Sequence, residues 1–287
     1  MSNNADRVSL GVHRTEPVTE RGAGVVRIVR SLVRHRRLIL EMARRELSDQ
    51  HAGQLVGGIW LFVHPLTLFC VYGFLFTIVF KVRIGDAGPS DYLIYLFSGL
   101  APWLLTQDAL VRTAAVMAAN ASIVKKVMFP MEVLIAKTLI ASASVQALLM
   151  LATIAYSIFE RGGTAPVIML LPALIGLHFL LLLGLGLFLG IATPYFRDLP
   201  EIVRIFVLIN IYLIPVMYAP EMVPEMLRFI LFINPFSHLI WCYQDILYFN
   251  VIAHPLSWVI LACLAAAAMT VGCYVFVRLR HHVASVM

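Results

Sequence analysis

Residues Val167–Thr193 read VIMLLPALIGLHFLLLLGLGLFLGIAT, a run with no Asp, Glu, Lys or Arg. As a helix rising about 1.5 Å per residue, this run exceeds the roughly 30 Å of a bilayer's hydrocarbon core. A surface helix of a soluble domain keeps one polar face, and this stretch has none. Working outward, comparable apolar blocks predict five more spans: Leu55–Phe80, Tyr92–Ala118, Val133–Phe159, Val203–Tyr218 and Pro255–Val277.

The bulk composition agrees. Of 287 residues, 61% are hydrophobic and 13% charged, against about 45–50% and about 25% in soluble domains. A fold in water cannot hide that much apolar surface at this length. A soluble enzyme, a disordered chain and a collagen-like chain are excluded. The short alternating segments of an outer-membrane barrel are absent. The expected class is an all-α, polytopic membrane protein with six transmembrane helices.

The formal net charge of +6 follows topology. Ten of the 22 Lys and Arg residues precede the first span, and further pairs lie at Lys125/Lys126, Arg197/Arg204 and Arg278/Arg280. By the positive-inside rule these segments and both termini are cytoplasmic. The charge therefore carries no argument for nucleic acid. Met1–Gln54 holds no apolar run suited to a signal peptide, so the first span directs insertion.

Residues 1–24 are expected to be a mobile cytoplasmic tail, 25–54 an amphipathic interface helix and 55–287 the transmembrane domain. In the interface helix Val25, Val29, Leu32, Leu40 and Leu47 oppose a stripe of Arg27, Arg30, Arg34, Arg37 and Arg44. That pattern fits a helix lying on anionic headgroups, with a basic solvated helix as the alternative. Residues 219–254 are apolar but interrupted by Pro220, Pro224, Asn234, Pro235 and Asp245. Neither half is long enough to span, so two re-entrant or interfacial outer helices are expected.

Motifs for chemistry are missing. There is no GxxxxGK[ST], GxSxG or HExxH. The four cysteines (Cys70, Cys242, Cys263, Cys273) lack a CxxC spacing, and the nine histidines lack a ligand spacing, so no metal site is expected. Ionisable groups inside spans are costly and point to function. Asp108 and Arg112 are four apart on one helix, either a polar patch facing the bundle interior or a self-neutralising pair. Lys137 is expected to snorkel to the cytoplasmic surface. Tyr72 and Tyr212 lie deep in their spans, where they either pack the core or line a carbohydrate path. Outer-side acids such as Asp91 and Asp245 show no sequence partner.

The joint order of Gly58-x-Trp60 with Pro65, Gly99 with Pro102-Trp103, and Asn120 with KKVMFP (Lys125–Pro130) resembles a known family. The resemblance continues through Arg197-Asp198-Leu199, Pro215 and Asn234-Pro235. The chain resembles, from about Glu41 to its C-terminus, the permease subunits of type-2 ABC exporters for O-antigen, capsule and teichoic acid. It departs where relatives carry an Arg in the second outer helix and this chain has Gln244.

The resemblance implies a permease that homodimerises in the bacterial inner membrane, docks two copies of a separate ATPase subunit, and exports a lipid-linked polysaccharide. The chain itself is then no enzyme and binds no cofactor, ATP and Mg residing on the partner. Asn120, Ile123, Val124, Lys125, Lys126, Val127, Phe129 and Pro130 correspond to the ATPase-coupling segment, and Arg197 and Asp198 to a second contact. Arg27, Arg30, Arg34 and Arg37 would meet a substrate headgroup. Tyr72, Asp108, Arg112 and Tyr212 are candidate conduit residues, with Asn234, Pro235 and Trp241 at the outer mouth. An ABC exporter of drugs or small lipids shares the fold. A membrane glycosyltransferase or lipid-modifying enzyme would need a catalytic acid cluster that the sequence does not display.

Overall fold

A computed structural model of the chain describes residues 21–49, 59–82, 89–126, 129–163, 165–280 and 282–283. The greater part of the tail, Gly58 of the first motif and Val127 lie outside these residues. The described residues form helices and no strand. In chain order these are α1 (Arg21–Arg34), α2 (Arg36–Asp49), α3 (Trp60–Phe74), α4 (Pro89–Ala119), α5 (Ala121–Lys126) and α6 (Met131–Arg161). They continue with α7 (Leu171–Ala192), α8 (Leu199–Asn210), α9 (Glu225–Ile233), α10 (Pro235–Gln244) and α11 (Pro255–Leu279). Single π-helical turns extend α3 over Leu75–Val79 and α10 over Asp245–Phe249, and a 3-10 turn, Pro166–Leu170, leads into α7.

Among the described residues, three helical stretches are long and apolar enough to cross a membrane: Met131–Arg161, Pro166–Ala192 and Pro255–Leu279. A fourth candidate is the pair Glu225–Ile233 and Pro235–Phe249, bent by 91° at Asn234. The long helix α4 carries Asp91, Asp108 and Arg112 and is less apolar.

The tightest helix crossing is α7 on α11. Gly184 and Gly272 face each other there, and a Cβ at either would overlap main-chain atoms of Ala268 and Met269 or of Gly184 itself. Lipid supplies no hydrophobic drive between helices, so close backbone packing of this kind carries the association. Thr106, His178 and Tyr243 tie α4, α7 and α10 together at depth. His178 Nε2 lies 2.9 Å from Thr106 Oγ1, and its Nδ1 lies 3.1 Å from the Tyr243 hydroxyl.

The expected fifth span, Val203–Tyr218, is not one helix. α8 ends at Asn210, and residues 211–218 are turns. Pro215 disfavours helical backbone at Ile214 and removes a donor. The exposed carbonyls of this stretch are met from other elements. Tyr92 donates its hydroxyl to Met217 O (2.7 Å), and Tyr95 to Pro215 O and Tyr218 O (3.1 Å each). Gln244 Nε2 donates to Pro215 O at 2.8 Å. Irregular backbone at membrane depth survives only with such internal partners.

The interface helix also departs from expectation. It is divided at His35 into α1 and α2, and its buried residues are Ile28, Ile39 and Ala43, while Val29 and Leu40 are exposed. The reason is its partner: α1 and α2 pack on α11 and α6 rather than lying on lipid alone.

Candidate conduit and coupling site

Glu46 of α2 pairs with two basic side chains of the bundle. It forms an ion pair with Arg112 of α4, and its Oε2 lies 2.7 Å from Lys137 Nζ of α6. Arg112 Nη1 also lies 3.5 Å from Asp108 Oδ2, so the expected i,i+4 pair is present within a larger cluster. Lys137 does not snorkel: it is buried and spent on Glu46. Ser31 of α1 donates to Glu132 Oε1 of α6 at 2.5 Å, a second polar tie between interface helix and bundle. The sequence signal for the half-buried place of Glu46 is that it continues the Ile39–Ala43 face at helical spacing.

Beside this cluster, a cavity of about 590 Å³ opens between α3, α4, α6 and α8, lined by Trp60, Gln107, Asp108, Arg112, Gln146 and Arg204 among others. Charges of both signs line it, and Gln146 Oε1 is buried without a hydrogen-bond partner. Tyr72 is half-buried on α3, with its ring 6.4 Å from that of Phe76. Tyr212 is exposed just past α8, and its carbonyl accepts from the Tyr218 hydroxyl. Neither tyrosine is among the residues lining that cavity. Arg27, Arg30, Arg34 and Arg37 all stand exposed on the outer faces of α1 and α2.

Both segments matched to ATPase coupling lie at the α1–α2 end of the bundle. Asn120 closes α4 by donating Nδ2 to Val116 O, and α5 follows as a short separate turn of helix containing Ile123, Val124, Lys125 and Lys126. Phe129 and Pro130 are half-buried, Phe129 against the Ile39–Val133 cluster. The turn before α8 is pinned by Thr193 Oγ1 to Ala114 O (2.6 Å) and by the Tyr195 hydroxyl to Leu279 O (3.2 Å). Those anchors leave Phe196, Arg197 and Asp198 exposed.

At the opposite end, Asn234 Oδ1 caps α10 by accepting from Phe236 N, and its Nδ2 donates to Asn210 Oδ1 at 2.7 Å. Pro235 occupies the first helical position, where its missing donor costs nothing. Phe236 packs edge-on against Trp103, which puts the Asn-Pro break about 20 Å along α4 from its start. Asn234 is half-buried and Pro235 exposed, while Phe236–Gln244 behind them are buried and run along α4. Trp241 is buried, with its ring stacked on His254 (centroids 5.3 Å, planes 8° apart).

Asp245, without a sequence partner, accepts three hydrogen bonds. It accepts from His254 Nδ1 (2.8 Å), His254 N (3.1 Å) and Trp258 Nε1 (3.0 Å). Asp91 meets Arg161 at 3.6 Å, and the Arg161 guanidinium lies over the Tyr248 ring. No spacing rule reaches these pairs, since a π turn, a loop and a helix change intervene.

Comparison of the sequence with known proteins points to a family of transporters. The ABC-2 type transporter model matches residues 37–248. Two proteins of Klebsiella pneumoniae, each described as O-antigen export system permease protein RfbA, are similar to the chain. One is 25% identical over 211 residues, covering 73% of this chain and 79% of the relative. The other is 23% identical over 256 residues, covering 87% and 95%. With its apolar bundle and a match across most of its length, this chain belongs to the ABC-2 type transporter family of membrane permeases.

Proposed function

We propose that the chain is the membrane half of an exporter that moves a lipid-linked polysaccharide of the O-antigen, capsule or teichoic-acid type across the bacterial inner membrane. It acts as a homodimer driven by two copies of a separate ATPase. The permease family and the O-antigen relatives support the cargo class. Six crossings follow if α3, α4 and the broken 199–218 segment join the three long apolar helices, and the cationic residues then put both termini in the cytoplasm. On that reading α9 and α10 form a re-entrant pair. The chain binds no cofactor of its own, and ATP and Mg belong to the partner.

The observation that carries the mechanism is the Glu46–Arg112–Lys137 cluster beside the cavity between α3 and α8. An interface helix tied by charge to two bundle helices transmits a push on α5 or on the Arg197-Asp198 turn as a rigid displacement. Exposed apolar side chains on α3 and α8, including Phe74, Ile78, Ile205 and Leu208, suit a conduit wall completed by a second copy. A lipid-pyrophosphate headgroup would first meet Arg27, Arg30, Arg34 and Arg37, whose forks suit phosphate oxygens.

The test is Val124→Asp in the coupling segment, reconstituted with the ATPase partner. ATP hydrolysis should continue while polymer export falls. Full export with intact ATPase association would overturn the reading.

A further inference from the structure

At the end of the bundle remote from α1 and α2, a second cavity of about 470 Å³ lies between the start of α4, the 3-10 turn Pro220–Met222 and α10. Its walls include Tyr95, Glu221, Trp241, Gln244, Phe249 and His254. Two of these residues carry buried polar atoms without a hydrogen-bond partner: Trp241 Nε1, a donor, and Gln244 Oε1, an acceptor. Native interiors rarely leave such atoms unmet, and these two belong to side chains that line the cavity. Both side chains are otherwise held in place. The Trp241 ring is stacked on His254, and Gln244 Nε2 is committed to Pro215 O. His254 is held in turn by its Nδ1–H donated to Asp245.

The lining selects a chemical class. Among the described residues it holds no Lys or Arg and has one carboxylate, Glu221, which disfavours an anion. An apolar guest would leave the indole N–H and the amide oxygen unpaired. A neutral ring bearing several hydroxyls satisfies both, since each hydroxyl donates and accepts. Its C–H faces would pack on the aromatic walls, and its size suits the volume, which falls within the usual range of small-molecule sites. From this geometry we infer that the cavity binds a neutral sugar unit of the transported chain as it leaves the bundle. The inference rests on the polysaccharide reading for the identity of the cargo. The site is separate from the wall between α3 and α8, because it lies within one protomer.

The test uses the full chain in nanodiscs of phosphatidylethanolamine and phosphatidylglycerol, titrated with methyl glycosides of glucose, galactose, mannose and N-acetylglucosamine. Binding is followed by tryptophan fluorescence and saturation-transfer NMR. At least one glycoside should bind saturably. Trp241→Phe, which keeps a ring and removes the N–H, should weaken it about five- to tenfold. Glu221→Ala, at an exposed turn, should weaken it by a similar factor. Glu221→Ala should keep the unbound protein's melting temperature, and Trp241→Phe, which shortens a buried ring, is read well below its own transition so that lost binding is not lost folding. Absence of glycoside binding in the wild type, or unchanged affinity in both variants, would overturn the site. A polyol-headed lipid, phosphatidylinositol, supplied in the nanodisc without glycoside is the other source of the same chemistry; a Trp241-dependent signal from it alone would overturn the assignment to cargo. Polymer export by the wild-type chain with its ATPase separates the two claims. Export without glycoside binding removes only this site, whereas glycoside binding without export removes the polysaccharide reading and with it the assignment of the bound sugar to cargo.

Discussion

Glu46 and Lys137 meet at 2.7 Å across the seam between the interface helix and the bundle, and the same carboxylate holds Arg112. One acid thus neutralises two basic groups from different helices. The seam is sheltered, with each of the three side chains about one-fifth exposed or less, so the pairing is screened less than a surface salt bridge.

Glu46→Gln should destabilise the detergent-solubilised protein by about 2–3 kcal/mol, because it strands partly buried charge rather than merely losing an attraction. The Glu46→Gln, Lys137→Gln double variant should recover part of that loss. Thermal unfolding of the two single variants and the double checks both statements, and strictly additive losses would show that the pair is not coupled.

Glycine substitutions should split by position. Gly184→Ala and Gly272→Ala each drive a methyl into main chain across the α7–α11 crossing and should cost about 1–3 kcal/mol or more. Gly176→Ala lies on the same α7 with nothing near its added Cβ, and should be neutral or stabilising by up to about 1 kcal/mol. Melting temperatures of the three variants decide this, and a uniform response would refute the close-crossing account.

Tyr92→Phe removes the sole hydroxyl that the structure gives Met217 O. The expected cost is about 1–2 kcal/mol, with faster amide hydrogen exchange over residues 211–218. An unchanged exchange pattern would mean that the broken segment holds itself without α4.

Replacing Arg30, Arg34 and Arg37 together by Ala should leave folding intact, since all three are exposed. Polymer export in vesicles should fall, and binding to anionic liposomes should weaken by about 1 kcal/mol per residue removed. Export at the wild-type rate would remove these residues from substrate loading.

Where reading the residues succeeded, one element sufficed to reveal the property. Val167–Thr193 cannot be anything but a buried or lipid-facing helix, and Asp108 and Arg112 lie one turn apart whatever surrounds them. Asn234-Pro235 marks a helix start through its own chemistry. Reading failed where an answer depended on what lay alongside. Lys137 looked like a snorkelling residue because Glu46 stands ninety-one positions away in sequence. Val203–Tyr218 looked like a span because the hydroxyls that satisfy its broken half come from α4. Arg27, Arg30, Arg34 and Arg37 stand exposed, and the buried face of α1 and α2 centres on Ile28 and Ile39 rather than on Val29 and Leu40, because α6 and α11 lie against it.

By itself, then, the amino-acid order determined the membrane class, the helical period and a helix start such as Asn234-Pro235, since these depend on local hydropathy and backbone sterics. Only the tertiary structure decided which charges meet, how deep α10 lies and where unpaired polar atoms remain. Those outcomes turn on contacts between residues tens of positions apart, and in a low-dielectric interior such contacts decide whether a polar group is tolerated at all.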